Sequence, residues 1–387
     1  IVNANPVLIQ SNFDGVYTDT AWGGAAAYNA FKATKAARTA VLFASGNDGM
    51  LHAFKDTRGT TPATDGQEIF AYVPRTVYSN LSKLADPNYG TTTALQHQYF
   101  VDGPLSEADA YVKAPGASSA TWRNYLMGSL GSGGRAVFAL DVTDTANLNA
   151  SSVRWELANT DDNDIGYVLA PIRIGVLPSG RWVAIFGNGY SSTNGKAVLF
   201  VVDLENASSN DATVRGNAIQ KLVLDSSGSN GLGGVTLIHD ATTGRTTTIY
   251  VGDLKGNLWK LTYNTATNKF EADGGKAFFT ATDSGSTAQP ISSSPAVFKN
   301  GTLGGYMVLF GTGKLFSTAD VNDTSTQTVY GVWDKQGGPS GAPDSVSRPL
   351  TRSNLVGRTL TAFAGTGLAS GTTFYSLTGT AADYSTS

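Results

Sequence analysis

Asp161-Asp162-Asn163-Asp164, closed by Gly166, is a dense run of oxygen ligands, and hard carboxylate and amide oxygens are what Ca²⁺ selects. The run lacks the distal carboxylate of an EF-hand, so a solvated turn is the competing reading. Asp320, Asn322 and Asp323 repeat the pattern more weakly. The three histidines, His52, His97 and His239, are far apart, and none has a second ligand type at a metal spacing such as an HExxH pair. Each is expected to be a strand or loop histidine with a local hydrogen bond. A Ser-His-Asp triad is recognised by geometry, but no GxSxG elbow supports one here. Gly187-Asn188-Gly189-Tyr190 and Gly311-Thr312-Gly313-Lys314 look superficially like phosphate loops. Neither has the spacing or the strand-to-helix context of a phosphate cradle, and both read as hairpin turns where glycine supplies positive φ.

The elements that would position these residues are strands. The 387 residues include 45 Gly, 10% aromatic and only 15% charged residues, with many Thr, Ser, Val and Tyr, a composition for strands and turns rather than long surface helices. Net charge is -3, with Lys and Arg scattered, so no basic block offers a footprint for nucleic acid or an anionic membrane. The absence of cysteine removes disulfides, Cys-ligated zinc and a Cys nucleophile, and leaves the compartment open. No apolar run reaches the roughly 18 residues that would span a bilayer, and no signal-peptide pattern follows Ile1. The chain is expected to be part of a longer protein.

An apolar strand, a Gly-rich turn and an alternating strand recur along the chain. Ala40 to Phe43 precedes Asn47-Asp48-Gly49-Met50-Leu51-His52-Ala53-Phe54, and Tyr125 to Leu130 precedes Gly133 to Asp141. The same pattern runs from Val183 to Gly187 before Gly195 to Asp203, from Thr248 to Gly252 before Lys255 to Leu261, and from Met307 to Gly311 before Thr328 to Asp334. Each copy predicts a hairpin with a buried face. Starts near residues 40, 125, 183, 248 and 307 leave room for two further strands per copy, which is one four-stranded blade. The fold class is therefore all-β, a β-propeller with about five blades visible and residues 1–387 forming a single domain. Short helical insertions are expected at Ala25 to Thr39 and at Pro74 to Leu84, with Pro at the first helical position. Thr57 to Gly66, Asn206 to Asp211 and Gln336 to Ser347 read as exposed loops. Trp122, Trp155, Trp182, Trp259 and Trp333 lie in or beside predicted strands and are expected to pack between blades.

In order, Ala44 to Phe54, Tyr72-Val73-Pro74, Tyr99 to Gly103, Trp122 to Gly134 and Ala139 to Thr143 resemble the C-terminal domain of the PilC/PilY family. These are type IV pilus biogenesis factors and tip adhesins of Gram-negative bacteria. The resemblance continues through Ile165-Gly166-Tyr167, Phe186 to Tyr190, Tyr250 to Trp259, Phe310 to Lys314 and Tyr330 to Asp334, most of the chain. It implies a quinoprotein-like, modified, roughly seven-bladed propeller without enzymatic activity. Such a protein supports pilus assembly, opposes retraction and promotes twitching motility and attachment. The implied partners are minor pilins and the pilus fibre, with host-cell or abiotic surfaces. The implied place is the cell surface, at the pilus tip or outer membrane after export through the periplasm. The family's N-terminal adhesion domain and the usual closing-blade strand after Tyr375 are not found.

Several family members carry an EF-hand-like calcium loop before the strand matching Ile249 to Asp253. Here that stretch reads Asp240-Ala241-Thr242-Thr243-Gly244-Arg245-Thr246-Thr247-Thr248, with Asp240 as its one carboxylate. Arg245 is expected to place a positive charge where the ion would sit, so the loop is read as degenerate. That leaves Asp161, Asp162 and Asp164 as the weaker calcium candidates and no other cofactor. Some members also carry an integrin-binding Arg-Gly-Asp, to which the nearest string here is Arg58-Gly59-Thr60, which lacks the carboxylate. The alternative reading is a pyrroloquinoline quinone-dependent dehydrogenase. It shares the Asp-Gly-x-Leu-x-Ala-like blade motif but needs convergent acidic ligands and a disulfide cap that are absent from the sequence. An outer-membrane assembly scaffold is a third reading, which leaves Tyr99 to Gly103 and Trp122 to Gly134 unexplained.

Overall fold

The computed structural model describes residues 4–11, 13–209, 211–301, 304–335, 347–363 and 374–379. The first sheet contains β1 (Val7–Ile9), then, beyond α1 (Gly24–Ala37), β2 (Ala40–Ser45), β3 (Leu51–Asp56) and β4 (Glu68–Tyr72). After α2 (Tyr78–Leu81) comes the second sheet, β5 (Leu105–Val112), β6 (Thr121–Ser129), β7 (Ala136–Asp141) and β8 (Val153–Ala158). The third holds β9 (Arg173–Val176), β10 (Trp182–Gly187) and β11 (Ala197–Asp203), followed by α3 (Ala212–Asn217) and β12 (Ile219–Asp225). Within these three sheets the strands are antiparallel neighbours in chain order, and the all-β propeller expected from the repeats is the observed fold.

In the fourth sheet, β13 (Leu232–His239), β14 (Thr246–Asp253) and β15 (Asn257–Asn264) pair in order. The edge of β15 is then shared. Its C-terminal part pairs with β16 (Lys269–Ala272), and Asn257 and Leu258 pair with β17 (Phe279–Thr280). The fifth sheet is three-stranded: β18 (Ala296–Lys299), β19 (Tyr306–Gly311) and β20 (Val329–Asp334). β21 (Leu350–Thr351) returns to run parallel to β17, and β22 (Thr359–Phe363) pairs only with β23 (Phe374–Thr378).

The five predicted hairpins are β2–β3, β6–β7, β10–β11, β14–β15 and β19–β20, with registers such as Phe43↔Ala53, Met127↔Ala139, Ile185↔Val201, Val251↔Trp259 and Leu309↔Gly331. Strand alternation then distributes side chains between successive sheets. Phe138 and Leu140 face the first sheet's Val41 and Phe43, while Val137 and Ala139 face the third sheet's Ala184 and Phe186. In β10, Ala184 and Phe186 look one way and Val183 and Ile185 the other, toward Ile249 and Val251 of the fourth sheet. Tyr250 and Leu258 meet Val308, Phe310, Tyr330 and Val332 of the fifth. Being covered on both faces explains why β7, β10 and β11 read as continuous apolar runs, and each fully buried side chain contributes about 1.5–3 kcal/mol.

Helix α1 matches the insertion expected at Ala25 to Thr39. The Pro74 to Leu84 insertion differs: 3-10 turns at Arg75–Val77 and Ser82–Ala85 flank the single turn of α2, and Pro74 stands at the N-cap position. Tyr78, Ser79 and Asn80 are weak helix formers, so tertiary contacts shape the segment. The Glu156 carboxylate accepts from Arg75 N at 3.0 Å and Thr76 N at 3.3 Å, fixing its start against β8. The expected loop at Thr57 to Gly66 is a chain of turns, and most of Gln336 to Ser347 lies outside the described residues. Among the described residues, no helix is long and apolar enough to cross a membrane.

Candidate functional site

The acidic run after β8 is folded so that each carboxylate meets a cation of the same chain. Asp161 accepts from Ala158 N at 2.9 Å and pairs with the Arg75 guanidinium. Asp162 and Asp164 converge on one ammonium, Lys221 Nζ of β12, at 2.8 Å from an oxygen of each. Asp164 is buried and also accepts from Asn194 Nδ2 at 2.7 Å. Burial alone would raise the Asp164 carboxyl, but Lys221 and Asn194 outweigh it and hold it below the usual range. Burial would likewise lower Lys221, and its two carboxylates raise it further than burial lowers it. A unit positive charge thus already bridges Asp162 and Asp164.

Asp240 closes the turn between β13 and β14. Its Oδ1 accepts from Thr243 N at 2.7 Å, Thr243 Oγ1 at 2.8 Å and Thr242 N at 3.1 Å, which holds the carboxyl below its usual range. The expectation for Arg245 needs correction. Its guanidinium does not occupy the turn but reaches away, donating to Pro178 O at 2.8 Å and pairing with Asp19 at 2.8 Å above the Trp22 ring. A carboxylate and an aromatic face together hold guanidinium better than one turn carboxylate already accepting three bonds.

The histidines have separate surroundings. His52 lies between Glu68 Oε1 at 2.6 Å and Asp48 Oδ2 at 2.8 Å; burial lowers its pKa, but these two carboxylates raise it overall. His97 touches the Tyr89 and Tyr99 rings, and His239, lowered by burial, contacts the Thr246 hydroxyl at 3.2 Å. Asp320 accepts from Phe316 N and Ser317 N, each at 2.9 Å, and pairs with Lys314, while Asp323 caps its own turn through Ser325 N at 2.8 Å. Among the described residues, no group of three His, Cys, Asp or Glu side chains is placed to hold a metal ion.

The phosphate-loop look-alike at Gly187 to Tyr190 is a buckle between sheets. Asn188 is fully buried: its Oδ1 accepts from Val198 N and Leu232 N, each at 3.0 Å, and its Nδ2 donates to Asp164 O at 2.8 Å and Lys196 O at 2.9 Å. Gly189 has φ +73°, and a Cβ there would lie 2.1 Å from Tyr167 O, so glycine is required by close approach of backbone rather than by a ligand. Asp253 is the counterpart in the fourth sheet, accepting from Lys255 N and Asn257 N at 2.9 Å, the Trp259 indole at 2.9 Å and Asn230 Nδ2 at 3.2 Å.

Sequence reasoning missed the densest polar network. Lys35 of α1 and Asp109 of β5 form a wholly buried pair at 2.6 Å, joined by Tyr28 OH at 2.7 Å and Asn124 Nδ2 at 2.7 Å. Trp22 was missed too: it packs against Trp122 and Trp182 and accepts the Trp122 indole N–H on its carbonyl at 3.1 Å. Of the predicted tryptophans, Trp122, Trp155, Trp182 and Trp259 are in the core, and Trp333 is half-buried on β20. A cavity of about 330 Å³ at the margin of the fourth sheet has mixed walls, with Lys260, Lys276 and Arg348 facing Glu271 and Asp273. Its Lys260 is paired with Asp334 at 2.6 Å. The geometry is of charges compensated in place and blades buckled together.

Comparison with known proteins gives the same order of sheets a family. The sequence model of the PilY1 beta-propeller domain matches residues 1–373. The type IV pilus biogenesis factor PilY1 of Pseudomonas aeruginosa strain PAO1 is 34% identical over 384 residues, covering 93% of this chain and 30% of that protein. A type IV pilus biogenesis factor PilY1 homolog of Xylella fastidiosa is 36% identical over 352 residues, covering 85% of this chain and 21% of that protein. The chain therefore spans less than a third of the length of these relatives. The crystal structure of the Pseudomonas aeruginosa PilY1 C-terminal domain superposes with a TM-score of 0.65 at 33% identity, over 87% of this chain and 66% of that one. The chain belongs to the family of PilY1 β-propeller domains.

Proposed function

We propose that residues 1–387 act as a single, non-enzymatic propeller domain in type IV pilus biogenesis. In this reading the domain supports pilus assembly, opposes retraction and promotes twitching motility and surface attachment. The observation that carries the reading is the family match over residues 1–373. The partners are minor pilins and the pilus fibre, and the site of action is the cell surface, at the pilus tip or outer membrane. The internally compensated charges favour contact over catalysis. The test is deletion of the gene and complementation with and without residues 1–387, scoring surface pili and twitching zones. Loss of both without the domain is expected; unchanged pilus number and motility would overturn the reading.

Two site assignments accompany it. The Asp240 turn takes no calcium, because its single carboxylate already accepts three bonds. Asp161, Asp162 and Asp164 take none because Arg75 and Lys221 neutralise them. Millimolar Ca²⁺ should leave the Tm unchanged, and a clear rise would refute both.

A further inference from the structure

The surroundings of the Lys35–Asp109 pair hold more than an ion pair needs. The site is dry, with side chains 1% and 0% exposed, and it is walled by rings. The Lys35 nitrogen lies 5.6 Å from the ring centroids of both Phe13 and Phe31, and Phe13 O accepts from it at 2.8 Å, holding it against the carboxyl. The two oxygens of Asp109 have different donors. Oδ2 accepts from Lys35 Nζ at 2.6 Å and Tyr28 OH at 2.7 Å, while Oδ1 accepts from Asn124 Nδ2 at 2.7 Å. A second carboxyl stands beside the first. Glu107, two residues earlier on the same face of β5 and 6% exposed, accepts from the same Asn124 nitrogen at 3.0 Å.

We propose that Lys35 and Asp109 condense in the folded chain to an amide, an isopeptide cross-link between α1 and β5. The Nζ lone pair attacks Asp109 Cγ and a C–N bond forms. The Cγ–Oδ2 bond then breaks, and Oδ2 leaves as water with two of the three ammonium protons. Ammonium and carboxylate thus become one neutral amide and one water, and no oxidant or other reactant is needed. The contacts fit that course. Tyr28 OH donates to the oxygen that leaves, and Asn124 Nδ2 to the oxygen that stays, where negative charge develops in the tetrahedral intermediate. Glu107 is a positioning residue: together with Arg38, which donates to Asn124 Oδ1 at 2.6 Å, it fixes the Asn124 amide. Burial outweighs Lys35 and the other donors and raises the Asp109 carboxyl above its usual range, toward the neutral acid that loses water. Groups held in contact react at effective molarities on the order of 10⁵–10⁸ M, and an amide removes two buried charges whose desolvation is costly. The ion pair is then the state in which the chain folds. The inference stands apart from the pilus assignment, since it concerns a bond within one chain.

Mass spectrometry of the purified, denatured protein tests this on the native chain, so the outcome does not hang on whether a variant folds. The native chain should be lighter than its sequence by the mass of one water, and a tryptic digest should contain the Lys35 and Asp109 peptides joined. Lys35→Arg and Asp109→Ala should have their full masses. Asn124→Ala keeps both reacting groups, and after cell-free synthesis it should form the bond on the order of 100-fold more slowly, with circular dichroism checking that its β content is native. A native chain of full mass would overturn the proposal. So would a chain one water lighter whose Lys35 and Asp109 peptides are separate, or a Lys35→Arg chain that still loses the water.

Discussion

The third and fifth sheets are built from similar hairpins and have opposite relations to their neighbours. Phe200 of β11 is fully buried among residues of the second and third sheets, with its ring stacked on Phe186 at 5.2 Å, whereas Phe298 of β18 is 58% exposed. Phe200 also lies on a strand paired on both sides, whereas Phe298 lies on an edge strand, so both the neighbouring strand and the next layer differ. A propeller blade is stable in proportion to how many of its two faces are covered, and the third sheet has both covered.

The most severe way to break this comparison is truncation of the two phenylalanines. Phe200→Ala should cost about 3–5 kcal/mol, because the cavity cannot collapse between two fixed sheets. Phe298→Ala should change global unfolding by no more than about 0.5 kcal/mol, as for a surface position. Urea denaturation of the two variants gives both values, and equal losses would mean that the fifth sheet is as enclosed as the third.

A loss of similar size is expected on the second sheet, whose junction with α1 is ionic. Asp109→Ala leaves the Lys35 ammonium buried with its carboxylate partner removed, and should cost about 3–5 kcal/mol. Lys35→Met with Asp109→Leu should recover much of that loss, since replacing both partners by apolar groups removes the stranded charge. A double variant as unstable as Asp109→Ala would show that the cost comes from lost packing. The fifth sheet offers no such tie to a helix among the described residues.

How much of this could be read from the sequence follows from how local each signal is. The hairpins were legible because strand, turn and strand are contiguous: in Val183 to Asp203 the apolar runs and the intervening glycine carry the whole message. The Lys35–Asp109 pair was not, because its members are separated by 74 positions and neither is unusual for its own element. Arg245 was misplaced for the same reason, since Asp19 and Trp22 reach it only through the fold. The acidic run at Asp161 to Asp164 was visible as chemistry, but its neutralisation depends on Lys221 from a strand about sixty residues on. The split edge of β15 needed knowledge of two short strands, β16 and β17, too brief to show a period.

Glycine at the buckles offers a finer probe of the tightly packed side. Gly189→Ala should destabilise by about 1–3 kcal/mol, since φ +73° is costly for a side chain and the new methyl would meet Tyr167 O. Gly274, also at positive φ but with open space around it, should lose less on the same substitution. Thermal melts of the pair separate the cost of conformation, which both carry, from the cost of close approach, which falls on Gly189 alone.

The smallest effect belongs to the first sheet, at His52 of β3. His52, between Asp48 and Glu68, has a folded pKa above its ordinary value of about 6.5 because the two carboxylates outweigh burial. A raised folded pKa means that protonation favours the folded state. The contribution is complete below the unfolded value, provided the carboxylates are ionised, and fades as pH rises through the folded value. His52→Gln should therefore lose stability relative to the native chain at pH 6 and lose less at pH 8.5. The difference should stay below about 1 kcal/mol because both carboxylates are solvent-exposed. A deficit that is flat between the two pH values would mean that His52 acts as a neutral hydrogen-bonding side chain.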